Sequence, residues 1–124
     1  MTPQIVVIDD ERSIRDTLAL ILEAEGFTVR TAGSAEDGLA LLEDHRADLV
    51  VLDVRLPGMN GLEALAQITS KDDQTDVIMV SGHATLSDAV EATRLGAFDF
   101  LQKPLNRDRV LITVRNALAK VQLQ

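Results

Sequence analysis

The sequence predicts an α/β fold, a (βα)5 doubly wound parallel sheet with strand order 2-1-3-4-5. Three observations predict it. Short, unbroken apolar runs recur at 5–8, 49–52 and 77–80, the pattern of strands buried on both faces of a parallel sheet. Segments with apolar residues at helical spacing separate them, and a parallel crossover requires such an intervening helix. Apolar runs also end in charged or hydroxyl residues, which places chemistry at the strand edge where open α/β sheets bind ligands.

The first unit pairs the strand Ile5-Val6-Val7-Ile8 with a helix from Arg12 to Glu25. Its stripe is Ile14, Leu18, Ile21 and Leu22, and Gly26 is placed to end it. The second runs from Phe27 to Thr31 and then through Ser34-Ala35-Glu36-Asp37, which resembles a capping box, into a helix with Leu39 and Leu42 inward, ending near Asp44. Leu49 to Leu52 is the third strand, leading through Asp53 and the turn cluster Pro57-Gly58-Met59-Asn60-Gly61 into a helix carrying Leu62, Leu65 and Ile68.

Val77 to Val80 is the fourth strand and ends in Ser81-Gly82-His83. The helix after it, Thr85 to about Leu95, offers only Leu86, Ala89, Val90 and Thr93 as inward candidates. Burying a large aliphatic contributes about 1.5 to 3 kcal/mol, so this helix is expected to be the most weakly held. Phe98 to Leu101 is the fifth strand, followed by Gln102-Lys103-Pro104 and a helix from Leu105 to about Val121 with Val110, Val114, Leu118 and Val121 on one face.

At 124 residues the chain matches one ordinary domain, 1–124, with a single core. It has no cysteine, which excludes disulfides and thiolate metal sites. The apolar run after Met1-Thr2-Pro3-Gln4 is too short for a signal peptide or a membrane span, so the expectation is a soluble, cytoplasmic protein with no membrane partner. Asp and Glu number 20 against 12 Lys and Arg, and a net charge of −8 repels phosphate backbones. Direct nucleic-acid binding by this segment is therefore not expected.

In a sheet of order 2-1-3-4-5 the first and third strands are neighbours, so Asp9 and Asp10 would share a crevice with Asp53, flanked by Ser81 and Lys103. Two carboxylates about 4 Å apart repel by roughly 4 kcal/mol at an effective dielectric of about 20, so cations are required. Lys103 supplies one charge, and a hard dication such as Mg2+ would supply two. Mg2+ takes one or two carboxylates, waters and phosphate oxygens, and a carboxylate is a competent acceptor of a phosphoryl group. These residue types point to Asp53 as a nucleophile.

The segments VVIDDE, LVVLDVRLPGMNG, IMVSGHA and GAFDFLQKPL together resemble the receiver domain of two-component response regulators, over residues 4 to 121. The resemblance implies a flavodoxin-like fold and a role without enzymatic turnover: Asp53 as phosphoacceptor, taking its phosphoryl group from a sensor histidine kinase or a small acyl phosphate. It implies Mg2+ held by Asp10, Asp53 and the backbone carbonyl of Arg55, with Asp9 acting through water. It further implies that Lys103 pairs with Asp53 and then with the phosphoryl oxygens, that Ser81 hydrogen-bonds the phosphoryl group, that Phe100 is the aromatic switch, and that Lys103-Pro104 is cis. Phe100 lacks the hydroxyl of the tyrosine many such domains carry. Arg55 and His83 are expected to rim the site and to tune attack by water.

The stretch from Ser81 to Leu111 most resembles receivers fused to a sigma-54-dependent activator ATPase, so the chain is read as the N-terminal domain of a longer regulator, with possible dimerisation through the fourth and fifth helices. Alternatives remain: a stand-alone receiver acting by docking, or a Mg2+-dependent aspartyl-phosphate phosphohydrolase. Enzymes of the haloacid dehalogenase type use Asp-x-Asp, and here the second position is Arg55. A phosphate-binding glycine loop is also disfavoured, because Gly33 to Gly38 has the spacing but continues Leu39-Ala40.

Overall fold

A computed structural model describes residues 2–71, 74–83 and 85–122, with side chains to residue 119. The elements alternate strictly: β1 Gln4–Ile8, α1 Arg12–Ala24, β2 Thr28–Ala32, α2 Ala35–Asp44, β3 Leu49–Asp53, α3 Gly61–Lys71, β4 Asp76–Ser81, α4 Leu86–Arg94, β5 Asp99–Gln102 and α5 Arg107–Gln122. The five strands form one parallel sheet in the order β2-β1-β3-β4-β5. The expected fold and strand order are both present.

The unbroken apolar runs follow from the layering. On β1, β3 and β4, Val6, Ile8, Val50, Leu52, Val77 and Met79 point to one face, against Leu65 and Ile68 of α3 and Ala92 of α4. The intervening Ile5, Val7, Leu49, Val51, Ile78 and Val80 point to the other, against Leu18 and Leu22 of α1 and Val110, Val114 and Leu118 of α5. Successive strand residues alternate sides, so a strand covered on both sides has no polar positions to spare. β3, at the centre, is buried at every residue.

Every helix start but that of α1 carries a side-chain cap. Ser34 accepts the Asp37 amide at 3.1 Å, Asn60 accepts the Glu63 amide at 2.9 Å, and Asn106 accepts the Arg109 amide at 3.1 Å. Each satisfies a backbone donor that the first helical turn leaves open. The Asn106 cap moves the start of α5 to Arg107, two residues beyond the expected Leu105. Val110, Val114 and Leu118 are inward as expected; the side chain of Val121 lies outside the described residues.

The inward face of α4 differs from the expectation. Leu86 is 82% and Val90 59% exposed, Thr93 is exposed, and the residue that is buried is Ala92. Around the helix Ala92 lies about 160° from Val90 and about 120° from Leu86, so α4 turns those aliphatics outward, while the expected Ala89, about 60° from Ala92, is half-buried. The cause is at its C-terminal end. The Thr69 hydroxyl on α3 shares its proton between the Leu95 carbonyl and the Leu65 carbonyl of its own helix, each at 3.0 Å, and Gly96 turns the chain at φ +102 with the Thr69 methyl 3.4 Å from where a Cβ would stand. That anchor sets the rotation, and Ala92 is small enough to sit against the core. With one buried residue, α4 is held by little packing.

Candidate phosphoacceptor site

The C-terminal ends of β1, β3, β4 and β5 deliver Asp9, Asp53, Ser81 and Lys103 to one edge of the sheet. Asp53 closes β3 as its last residue and is 4% exposed, while Asp9, just past β1, is 2% exposed and Ser81 1%. Backbone ties fix the edge: Val54 donates its amide to the Val80 carbonyl at 3.0 Å, and Lys103 to that of Ser81 at 2.9 Å.

The Lys103 ammonium is the centre of charge. Its Nζ lies 3.0 Å from Asp9 Oδ2, 3.3 Å from Asp53 Oδ2 and 3.3 Å from Glu11 Oε1. Burial works against the charged amine. The hydrogen bond to Asp9 and the charges of Asp53 and Asp9 outweigh it and raise the pKa above the ordinary lysine value, keeping the group cationic.

Asp53 has the opposite problem. Burial pushes its pKa up, the Arg55 amide bonded to its Oδ1 at 3.1 Å pulls it down, Asp9 repels it, and Lys103 attracts it, with a net rise. Carboxylate oxygens of Asp9, Asp10 and Asp53 all lie within 4.8 Å of one another, with Asp10 exposed at the rim. One ammonium against these three acids and Glu11 leaves the pocket strongly negative. An all-oxygen donor set of this kind suits a hard divalent cation.

The other expected residues flank this centre. Ser81 Oγ accepts the His83 amide at 3.1 Å, which leaves its own proton available to donate, and His83 itself is exposed. The Lys103–Pro104 bond is cis. Phe100 is half-buried on β5 beside an open groove of ≈ 620 Å³ that Leu86, Ala89, Lys103 and Arg109 also line. The guanidinium of Arg55 leans away from Asp53 onto Asp88 of α4, at 3.5 Å.

Two partners escaped the sequence reading. Glu11 is the third acid on Lys103, and nothing in the run Asp9-Asp10-Glu11 says which of the three turn inward. Asp88 forms a capping box with Thr85 at the start of α4, and the T-x-x-D spacing of Thr85 and Asp88 is the signal that could have found it.

The chain matches the response regulator receiver domain family over residues 5–115. It belongs to that family. The receiver is 39% identical over 126 residues to the nitrogen assimilation regulatory protein NtrX of Azorhizobium caulinodans, covering 100% of this chain and 28% of that protein. It is likewise 39% identical over 121 residues to the C4-dicarboxylate transport transcriptional regulatory protein DctD of Rhizobium meliloti, covering 98% of this chain and 26% of that one.

The receiver therefore spans about a quarter of the length of these relatives. Among solved structures, a CheY-like receiver domain protein from Methanospirillum hungatei JF-1 superposes with a TM-score of 0.95 at 32% identity, covering 98% of both chains. NtrX from Brucella abortus superposes with a TM-score of 0.93 at 41% identity, covering 99% of this chain and 29% of that one. Among the described residues of the receiver no helix is long and apolar enough to cross a membrane.

Proposed function

We propose that this receiver takes a phosphoryl group onto Asp53 in a Mg2+-dependent reaction and passes the change to an output domain. The observation that carries the reading is the buried Asp53 carboxylate held by the Lys103 ammonium at 3.3 Å inside a cluster of three aspartates. A buried carboxylate set among like charges costs stability, and such perturbed acids cluster at functional sites. Asp53 Oδ2 attacks the phosphorus of a phosphohistidine on a sensor histidine kinase or of a small acyl phosphate. The new P–O bond forms as the bond to the leaving imidazole nitrogen or carboxylate breaks, and solvent protonates the imidazole.

Asp10, Asp53 and the Arg55 carbonyl would hold Mg2+, with Asp9 acting through water, and the ion would offset the negative charge between carboxylate and incoming phosphoryl group. Lys103 stays protonated and pairs with the phosphoryl oxygens. The Ser81 hydroxyl, with its lone pair already on the His83 amide, donates its proton to the same group and draws the β4–α4 loop inward. Phe100 moves into the space this vacates. The output is a population shift of α4 and β5, because α4 is the helix with the fewest buried residues.

The receiver is not an enzyme with turnover; it acts in the cytoplasm on partners. Those partners are a sensor histidine kinase and an output domain beyond Gln124, of the sigma-54 activator ATPase type, with dimerisation through α4 and α5 and no direct nucleic-acid contact. The relatives' length and the role of DctD as a transcriptional regulatory protein support this. Incubation with Mg2+ and acetyl phosphate should label about one equivalent per chain, with no label after EDTA treatment or in Asp53→Asn. Hydrolysis of many equivalents without a labelled species would favour the phosphohydrolase reading instead.

A further inference from the structure

The cleft beside the acceptor contains an ion pair that the phosphoryl chemistry above leaves unused. Asp10, Val54, Arg55, Leu56, Asn60 and Asp88 line its ≈ 560 Å³. Across it, an Nη of Arg55 lies 3.5 Å from Asp88 Oδ2, with the arginine side chain 62% exposed and the aspartate 20%. The same Oδ2 accepts the Thr85 amide at 3.3 Å and so closes the capping box that starts α4. Asp88 thus serves two groups at once. One is the first turn of a helix; the other is a guanidinium two residues from Asp53, whose backbone amide is itself bonded to the acceptor at 3.1 Å.

We propose that Asp88 is a positioning residue that parks Arg55 on α4 in the unmodified protein, and that a phosphoryl group on Asp53 takes the guanidinium away and so loosens the first turn of α4. This rests on Asp53 being the acceptor. Charge gives the direction of exchange. Asp88 offers a single negative charge already shared with Thr85, whereas a phosphoryl group carries about −1.5 to −2 and three acceptor oxygens. The planar fork of arginine suits paired phosphate oxygens better than one carboxylate oxygen at 3.5 Å. An exposed pair of this kind shifts an equilibrium by only about two- to five-fold, so it yields to such a competitor. α4 buries only Ala92 and has little else to hold it once the pair is gone.

Asp88→Asn tests this because asparagine keeps an acceptor for the Thr85 amide and removes the charge. With acetyl phosphate and Mg2+, Asp88→Asn should be phosphorylated about two- to five-fold faster than wild type, since Arg55 no longer has to be detached. Asp88→Glu should restore the wild-type rate, and Asp88→Asn should give no acceleration in an Arg55→Gln background. In the unmodified protein, amide exchange at Ala89 and Val90 should rise by a similar factor in either single variant and no further in the double. Equal phosphorylation rates in wild type and Asp88→Asn, or an acceleration that persists without Arg55, would overturn the parking role alone. A wild-type protein that takes no label at all would overturn the acceptor reading and this inference with it.

Discussion

Lys103→Met is expected to destabilise the receiver by about 2 to 4 kcal/mol at pH 7.5 in EDTA and to slow labelling by acetyl phosphate about 10²-fold. The lysine is the cation between Asp9 and Asp53, both nearly buried, and methionine keeps the length of its stem while deleting the charge. The deficit should depend on pH, and the sign follows from the two groups. Lys103 has a raised pKa in the folded protein, so its stabilisation is fully present below the ordinary value of 10.5 and fades only as pH rises through the folded one.

Asp53 also has a raised folded pKa, but for an acid this means the folded state binds the proton more tightly than the unfolded chain. Its ionisation therefore removes stability as pH climbs from the ordinary 3.8 through the raised value. Without Lys103 that rise grows, so the deficit of Lys103→Met should be smaller at pH 5 than at pH 7.5, and Mg2+ should recover part of it. Urea denaturation at both pH values with and without Mg2+ measures this. An equal deficit under all conditions would mean that the stem packs but the charge does not matter.

Gly61→Ala is the second large effect, expected at about 3 kcal/mol or more, a sizeable part of the 5 to 15 kcal/mol that hold a domain of this kind together. A Cβ at Gly61 would lie 2.0 Å from the Asp53 carbonyl oxygen and 2.8 Å from Val54 Cα. These are backbone atoms and have no rotamer to escape into. The Gly61 amide also donates to the Val54 carbonyl at 2.9 Å, so α3 starts directly against the end of the strand that carries Asp53. The chain would have to separate there, and Asp53 would move with it.

Gly26→Ala is the comparison. It has φ +90 and nothing within 4 Å of a new Cβ, so its cost should be backbone strain alone, about 1 to 2 kcal/mol. Denaturant unfolding of both variants checks the order. Gly61→Ala as mild as Gly26→Ala would show that β3 and α3 are less tightly joined than the structure has them.

The sheet was legible because burial on both faces forces unbroken aliphatic runs, while its order came with the doubly wound fold class, since right-handed crossovers alone permit several orders. The candidate site was legible for the same reason: Asp9, Asp53 and Ser81 each close an apolar run, and a common strand edge follows from topology. The rotation of α4 was not. Its aliphatics suggest a face through Leu86 and Val90, but the Thr69 anchor on Leu95 and the small Ala92 decide the docking, and neither leaves a periodic trace. The Arg55–Asp88 pair spans 33 residues and depends on that same docking, so it became visible only with α4 in place. Glu11 reached Lys103 through a turn after β1, beyond the reach of strand periodicity.

The most direct test of the central claim is to locate the phosphoryl group. The receiver would be labelled with acetyl phosphate and Mg2+, reduced with borohydride to convert an acyl phosphate to homoserine, and mapped by peptide mass spectrometry. The structure predicts homoserine at position 53 and at no other acid, with none formed in Asp53→Asn. Homoserine at position 9 or 10, or a label on histidine that borohydride leaves unchanged, would contradict it.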